Sequence, residues 1–279
     1  MSAHLHRLPP GAVDLSAIPT DETPGFDGGK SEGKAALFAL GDELSDLQER
    51  LWAERTTGSE RRVLLVLQGM DTSGKGGVMR HVVSLCDPQG VRHHAFKKPT
   101  QDELAHDFLW RIRQELPRSG EIGVFDRSHY EDVLVARVHK LAPTGTLTRR
   151  YGTINRFEER LVESGCTVIK CMLHVSPEEQ KERLLDRLED PTKYWKYNPG
   201  DVDERYHWDA YREAYQIALE RTNTPHAPWY VVPSDRKWYR NWAVSALLAE
   251  TLEELAPQYP PPTYDVATER RRVEASAIK

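Results

Sequence analysis

The chain has 279 residues, enough for one large domain, and its 39% hydrophobic and 29% charged residues are ordinary for a globular protein. Its formal net charge of −5 gives the whole protein no attraction for nucleic acids, so a polyanion would need a local basic site. No segment approaches the roughly 18 consecutive apolar residues of a membrane helix, and the N-terminus lacks the apolar core of a secretory signal, so we expect a cytoplasmic protein without a membrane partner.

The chain begins with residues 1–34, which are rich in Pro, Gly and Asp and predict an irregular N-terminal arm. Leucines then recur at alternating steps of three and four, at Leu37, Leu40, Leu44, Leu47 and Leu51. This spacing predicts an amphipathic helix, whose leucine seam we interpret as packing against the core or a second subunit.

Five short apolar runs follow, with helix-like stretches between them, at 63–67, 91–96, 122–125, 167–173 and 229–232. Three runs are almost continuously apolar, as in strands covered on both faces, whereas the second alternates and is expected nearer an edge. A capping-box pattern at Thr100 and Glu103 precedes Leu104, Phe108 and Ile112, and Ser176 precedes another helix start. The alternation predicts a five-stranded parallel sheet sandwiched by helices.

Two further features are the composition of the C-terminal segment and the spacing of the cysteines. Residues 257–279 turn Pro-rich and then Arg- and Glu-rich, which predicts a C-terminal surface extension after a single domain over 35–256. The cysteines Cys86, Cys166 and Cys171 are too scattered for a disulfide framework or a zinc site. We interpret them as reduced thiols, two of them on a buried strand.

The first strand runs directly into Gly69-Met70-Asp71-Thr72-Ser73-Gly74-Lys75-Gly76-Gly77, which matches the GxxxxGK phosphate-loop pattern. In such a loop the backbone N–H groups point at phosphate and the lysine supplies a mobile charge. The residues predicted to bind phosphate here are Gly69, Thr72, Ser73, Gly74, Lys75 and Gly76. A purely structural glycine-rich turn is the alternative. With the strand and a helix-compatible segment on either side, the loop predicts a P-loop kinase fold.

Gly76 stands where the usual loop has the Ser or Thr that binds Mg²⁺. Asp71 is a plausible replacement, because a carboxylate among phosphates needs a bridging cation. The alternative is that Asp71 only forms the turn.

The third strand ends at Asp126 and is followed by Arg127. The Asp126 carboxylate can reach a metal ion from this position, although it could also cap a helix. The planar guanidinium of Arg127 can donate two hydrogen bonds to phosphate oxygens. The alternative for Arg127 is a salt bridge to Asp126 or Glu131. We interpret His129 as structural or as a hydrogen-bond donor, because a phosphate acceptor is already anionic and needs no general base. Lys98 follows the second strand, so the strand exits should bring these charges to one crevice.

A basic and aromatic segment follows the fourth strand, at residues 182–205. Arg183 and Arg187 lie four apart on one helical face, and Asp190-Pro191 then breaks the helix. The functional interpretation is a lid that closes over phosphates and excludes water. The alternatives are a solvated charged helix or a surface for single-stranded nucleic acid, which the negative net charge disfavours.

Several motifs in one order resemble the polyphosphate kinase 2 family, from about residue 20 to residue 256. They are TPGF (23–26), GMDTSGKGG (69–77), PQGV (88–91), KPT (98–100), ELAHDFLWR (103–111), GEIGVFDRSHYEDVLV (120–135), DPTKYWKYNPGDVDER (190–205) and HAPWYVVPSDRKWYRN (226–241). The resemblance implies a thymidylate-kinase-like fold with a helical lid, Mg²⁺ as cofactor, and inorganic polyphosphate with a nucleoside mono- or diphosphate as substrates. It also implies a homodimer or homotetramer.

Carried over by position, the resemblance implies a catalytic set of Asp71, Lys75, Asp126, Arg127 and Arg187. It implies Asp71 and Asp126 as metal ligands, Arg183 among the phosphate-binding residues, and Lys98, Arg127 and Glu131 near the acceptor nucleotide. SHYED and ELAHDFLWR look like the branch that phosphorylates both AMP and ADP. That branch more often has Asn in place of Asp126 and Asp in place of Gly76, so these two residues depart from its pattern.

The predicted function is Mg²⁺-dependent transfer of the terminal phosphoryl group of polyphosphate to ADP, AMP or both, which relatives catalyse reversibly to varying degrees. Two alternatives stay open at this point. One is an ATP-dependent nucleoside monophosphate kinase, and the other is a non-catalytic polyphosphate-binding protein.

Overall fold

The computed structural model of the protein describes residues 3–276. Its strands are β1 (Arg62–Gln68), β2 (Val91–Ala95), β3 (Ile122–Asp126), β4 (Cys166–His174) and β5 (Trp229–Pro233). All pairings are parallel, and the order across the sheet is β2-β3-β1-β4-β5. Each of the five predicted strands is therefore confirmed, and β2, expected near an edge, is an edge strand.

The described residues also form eleven α-helices, several of which cover the two faces of this sheet. They are α1 (Lys30–Glu54), α2 (Lys75–His81), α3 (Gln101–Leu104), α4 (Trp110–Gln114), α5 (Val135–Val138), α6 (Thr144–Glu163), α7 (Pro177–Glu189), α8 (Gly200–Arg205), α9 (Trp208–Thr222), α10 (Lys237–Leu255) and α11 (Val266–Ala275). One core cluster holds α1, α2 and α10 against the sheet, and a second holds α4, α6 and α9 against the opposite face. With a glycine-rich loop between the central strand and α2, this is the P-loop kinase fold that the sequence predicts.

The alternation of side chains along β1 explains why the sheet is covered twice. Val63, Leu65 and Leu67 enter the first core cluster, whereas Leu64 and Val66 enter the second. All five are buried. A continuous apolar run is what a strand needs when both of its faces are removed from water.

The N-terminal arm is shorter than residues 1–34, because α1 begins at Lys30. The Glu32 carboxylate accepts the Gly29 N–H at 3.1 Å and so closes the first turn of the helix. The arm also packs on the domain: Leu8 is buried, and its N–H donates to the Trp229 carbonyl at 2.8 Å. Within the leucine seam Leu44 is fully buried, so the seam faces the core.

The helix predicted after Thr100 is divided into two. The capping box is confirmed, since Thr100 accepts the Glu103 N–H at 3.2 Å and Glu103 accepts the Thr100 N–H at 2.7 Å. However, α3 ends at Leu104, which is 62% exposed. The Asp107 carboxylate accepts the Leu109 N–H at 3.1 Å, so a second local cap interrupts the helix before α4.

Several remaining expectations can be compared with the described residues. Cys166 and Cys171 lie buried on β4, as predicted. Beyond α10 the chain forms the largely exposed helix α11. Within residues 3–276, no helix combines the length and apolar character needed to cross a bilayer.

A buried ionic cluster supports the segment that follows β3. His129 is fully buried with its Nε2 3.1 Å from Glu158 Oε1, which confirms its structural interpretation. The Lys170 ammonium donates to Glu158 at 2.7 Å, to the Tyr130 hydroxyl at 2.9 Å and to the Thr222 carbonyl at 2.7 Å. Burial raises the pKa of Glu158, but Lys170 and His129 outweigh burial and lower it, so the carboxylate is ionised.

Replacing this lysine should strongly destabilise the protein. Lys170→Met leaves the fully buried Glu158 carboxylate without its cation, and the free energy of unfolding should fall by about 3–5 kcal/mol. Denaturant unfolding followed by circular dichroism measures this change. The double variant Lys170→Met/Glu158→Gln should recover part of the loss, and a single-variant loss below about 1 kcal/mol would contradict an ionised pair.

Candidate active site

The loop between β1 and α2 is built on backbone conformations that favour glycine. Gly69 has φ 149° and Gly74 has φ 110°, and Thr72 also adopts a left-handed conformation with φ 61°. A Cβ on Gly69 would lie 2.7 Å from the Leu173 carbonyl oxygen of β4. The sheet therefore dictates glycine at the first loop position, as the phosphate-loop pattern predicts.

Lys75 lies in the mouth of this loop. Its side chain is buried, and the ammonium donates to the carbonyls of Gly69 at 2.8 Å and Met70 at 3.2 Å. Burial, followed by the nearby Arg127, lowers the pKa of Lys75, whereas three neighbouring carboxylates oppose the change. Those carboxylates belong to Asp126, Asp71 and Glu131. Lys75 therefore lies near the charged residues at the exit of the third strand and near Asp71 of its own loop.

Arg127 connects the end of β3 to the loop. Its backbone is left-handed, with φ 64°, and its N–H donates to the Leu67 carbonyl at 3.0 Å. Its guanidinium donates to Asp71 Oδ1 at 2.8 Å, so the ion pair is with the loop rather than with Asp126 or Glu131. Burial lowers the pKa of Arg127, but Glu131, Asp71 and Asp126 outweigh burial and raise it.

The two predicted metal ligands lie at the same edge of the sheet. Asp126 is the last residue of β3 and pairs in register with Leu67 of β1, and Asp71 follows β1 in the loop. No group of three or more His, Cys, Asp or Glu side chains suited to a metal occurs among residues 3–276. Mg²⁺ commonly takes one or two carboxylates together with waters and substrate phosphates. Two carboxylates beside Lys75 therefore fit a Mg²⁺ ion that also binds phosphate.

A cavity of about 270 Å³ opens beside the loop. Of the predicted residues, Gly69, Asp71, Arg127 and Glu131 line it. Residues that the sequence reasoning did not single out complete the lining, among them Gln180, Asp201, Glu204, Trp208, Tyr211 and Tyr215. The floor near the loop is charged, whereas α9 contributes an aromatic wall, an arrangement suited to a ligand with an anionic part and a flat part.

Glu131 is one of the residues that line this cavity. The Gln68 amide donates to Glu131 Oε1 at 3.1 Å. Burial raises the pKa of Glu131, while Arg127 and Lys75 act in the opposite direction. From the aromatic wall, the Tyr215 hydroxyl accepts the Gly69 N–H at 3.0 Å. The spacing of Tyr211 and Tyr215 on one helical face is a signal for this wall, although such spacing alone also fits core packing.

The segment predicted as a lid comprises the end of α7, a 3-10 turn at Pro191–Lys196, and α8. Arg187 donates to Asp201 Oδ2 at 3.1 Å and to the Lys196 carbonyl at 3.0 Å, so it joins the two helices of the segment. Burial and the nearby Asp71 raise the pKa of Asp201, whereas Arg187 opposes the change. Asp201 and Asp71 both line the cavity, so the segment lies beside the phosphate loop.

Arg183, predicted among the phosphate-binding residues, is hydrogen-bonded to protein groups in this structure. Its guanidinium donates to Glu179 at 2.7 Å, to the Thr72 carbonyl at 2.8 Å, and to the carbonyls of Ser234 and Asp235 at 2.6 and 3.0 Å. A direct bond from Arg183 to phosphate would require some of these bonds to break, so it braces the loop in this structure. Lys98 lies exposed just beyond β2 and outside the cavity lining.

There is free space at Gly76, where the usual loop has a Ser or Thr side chain. A Cβ at Gly76 would meet nothing within 4 Å, whereas a Cβ at Gly77 would collide with the Arg240 guanidinium. We therefore expect Gly76→Ala to raise the free energy of unfolding by about 0.5–1 kcal/mol, because alanine loses less conformational entropy in a helix. The matched variant Gly77→Ala should lose about 1–3 kcal/mol by overpacking. Equal thermal stabilities of the two variants would contradict this assignment.

A family model, related sequences and a solved structure that match this chain agree with one another. The family model described as polyphosphate kinase 2 matches residues 28–260 of the chain. An AMP/ADP-polyphosphate phosphotransferase of Meiothermus ruber is 47% identical, over 95% of this chain and 97% of its own. An ADP-polyphosphate phosphotransferase of Rhodopseudomonas palustris is 41% identical, over 90% of this chain and 89% of its own. The crystal structure of polyphosphate kinase 2 from Arthrobacter aurescens superposes with a TM-score of 0.96 at 50% identity, covering 98% of this chain and 96% of that one.

Proposed function

Because this chain belongs to the polyphosphate kinase 2 family, we propose that it transfers the terminal phosphoryl group of inorganic polyphosphate to ADP, AMP or both. The observation that carries the proposal is the convergence of charged groups at one sheet edge. There the phosphate loop, Lys75 and the Asp71–Arg127 pair adjoin a cavity with an aromatic wall. The enzyme is accordingly a polyphosphate:nucleotide phosphotransferase.

Phosphoryl transfer passes through a loose transition state, so the protein mainly positions groups and stabilises charge. We assign the donor phosphates to the loop amides and Lys75, and the phosphoryl group in transfer to Lys75 and Arg127. Arg187 would add charge from the lid when its bond to Asp201 is exchanged for phosphate. Asp71 and Asp126 would hold Mg²⁺, which supplies positive charge to phosphate oxygens when bound.

The acceptor nucleotide belongs in the cavity in this proposal. Its phosphates would face Arg127, and its flat base would lie along the wall that includes Trp208 and Tyr211. Glu131 lines the same cavity, and Lys98 would contribute only from outside it. No side chain has to remove a proton from the acceptor, because its attacking phosphate oxygen is already anionic.

Acceptor choice is tested with purified protein, Mg²⁺ and long-chain polyphosphate, with AMP and ADP offered in separate reactions. We expect ADP from AMP and ATP from ADP, as the name of the Meiothermus ruber relative describes for that protein. Product from only one acceptor would restrict the proposal to that nucleotide and make Asp126 and Gly76 the first residues to exchange.

We also propose that one catalytic domain, from the start of α1 at Lys30 to about residue 256, carries a lid over about 182–205, and that the protein works in the cytoplasm as a homodimer or homotetramer. The match of the family model over residues 28–260 supports these domain limits. Size-exclusion chromatography with light scattering tests the oligomeric state, and a monomer would overturn that part of the proposal.

A further inference from the structure

Arg240 is a buried cation without an acidic partner. Three arginines among residues 3–276 are buried: Arg111, Arg183 and Arg240. Arg111 lies 3.7 Å from Asp132, and Arg183 lies 2.7 Å from Glu179. Arg240 is 3% exposed, and within the described part of the chain no carboxylate comes within 4.0 Å of it. It is therefore unlike the other two.

The guanidinium of Arg240 packs against the backbone of the phosphate loop. Its Nη1 donates to the Ser73 carbonyl at 3.3 Å, and its Nε and Nη2 donate to Asn241 Oδ1 at 3.2 and 2.8 Å. Gly74 and Gly77 make this approach feasible, because a Cβ on either would collide with the guanidinium. Two glycines of the loop are thus needed to admit a cation that binds no carboxylate.

Burial of an unbalanced charge is costly, and proteins ordinarily avoid it by ion pairing. Burial and then the nearby Arg183 lower the pKa of Arg240 to about 9, although the more distant Glu179 acts in the opposite direction, and the side chain stays charged at neutral pH. In the same loop the hydroxyl groups of Thr72 and Ser73 are buried without a hydrogen-bond partner. The loop thus combines excess positive charge with polar groups that a bound anion could satisfy.

We propose that Arg240 is a positioning residue whose counter-charge is the polyphosphate bound in the loop. It acts through the Ser73–Gly77 backbone, attracting the polyanion and holding the loop open for it. This inference rests on the proposed function. It explains why the protein keeps a buried arginine without a carboxylate: an acid at that place would neutralise the attraction that the substrate needs.

The test compares Arg240→Met, Arg240→Gln and Arg240→Lys with wild type, with inorganic tripolyphosphate as the probe. Each protein is melted with and without tripolyphosphate, and KM for polyphosphate and kcat are measured separately. We expect the two neutral variants to melt without ligand at or above the wild-type temperature, because an unbalanced charge has been removed. They should lose most of the ligand-induced stabilisation, and their KM should rise about tenfold or more, the effect of one partly screened charge at a few ångströms. Arg240→Lys should keep most of the stabilisation by tripolyphosphate and a KM for polyphosphate near that of wild type.

Arg111→Met is the matched control for the loss of a buried arginine. It leaves Asp132 without that partner, so its ligand-free melting temperature should fall while the stabilisation by tripolyphosphate persists. The inference would be overturned if the neutral Arg240 variants also melted at a lower temperature than wild type yet were still stabilised by tripolyphosphate. It would also be overturned if both neutral variants failed to fold while Arg240→Lys folded, because Arg240 would then have a structural role. If wild type itself gains no stability from tripolyphosphate, phosphate binding at the loop is refuted and the proposed function falls with it.

Discussion

Lys75→Ala is expected to lower turnover with polyphosphate by about 10³-fold or more while the protein stays folded. The ammonium lies in the mouth of the loop, bonded to the carbonyls of Gly69 and Met70, with Arg127 and three carboxylates around it. It can exchange these carbonyls for phosphate oxygens without a rearrangement of the fold. The variant keeps the loop backbone but removes the mobile charge nearest to the donor phosphates.

Steady-state kinetics together with circular dichroism and thermal melting measure this effect. Arg271→Ala is the matched control, because it removes one positive charge from the exposed helix α11, far along the chain from the loop. The control should retain wild-type turnover. Near-wild-type turnover in Lys75→Ala would show that the loop lysine does not act on the transferred phosphoryl group.

Asp126→Ala should lower turnover by about 10²–10³-fold or more, while the sheet stays intact. Asp126 ends β3 in register with Leu67, and its carboxylate influences both Lys75 and Arg127. If Asp126 and Asp71 together hold Mg²⁺, the variant should also require a higher Mg²⁺ concentration for half-maximal residual activity.

A Mg²⁺ titration of wild type, Asp126→Ala and Asp71→Ala separates metal binding from other roles. The control is Asp46→Ala on α1, whose carboxylate is 44% exposed and pairs with Arg50 on the same helix. It should leave both turnover and the Mg²⁺ requirement unchanged. Unchanged Mg²⁺ dependence in both site variants would exclude these carboxylates as metal ligands.

Local sequence patterns predicted most of the fold, because each pattern had one dominant physical cause. The apolar run of β1 is continuous since both faces of the sheet are covered, and Gly69 is required by the close approach of the Leu173 carbonyl. The limits of α1 and the interruption after Leu104 were not predicted. They depend on the caps at Glu32 and Asp107, which compete with the helical periodicity over a few residues.

The candidate site was predicted less completely, because its shape depends on tertiary contacts. The charges at the ends of β1 and β3 converge by topology, so Lys75 and Arg127 could be placed together from the sequence. The aromatic wall on α9 could not, since Tyr215 reaches the loop only through the packed fold. Arg183 and Arg187 share a helical face, yet only the structure shows that Arg183 donates to the Thr72 carbonyl of the loop whereas Arg187 donates to Asp201.

A donor assay tests whether polyphosphate alone can supply the phosphoryl group. Purified protein is incubated with Mg²⁺, polyphosphate and ADP in the absence of any nucleoside triphosphate, and nucleotides are separated by chromatography over time. We predict that ATP accumulates, that none forms without polyphosphate, and that Lys75→Ala forms almost none. If folded protein forms no ATP from ADP and polyphosphate, yet phosphorylates AMP when ATP is supplied, then polyphosphate is not the donor and the protein is an ATP-dependent nucleoside monophosphate kinase.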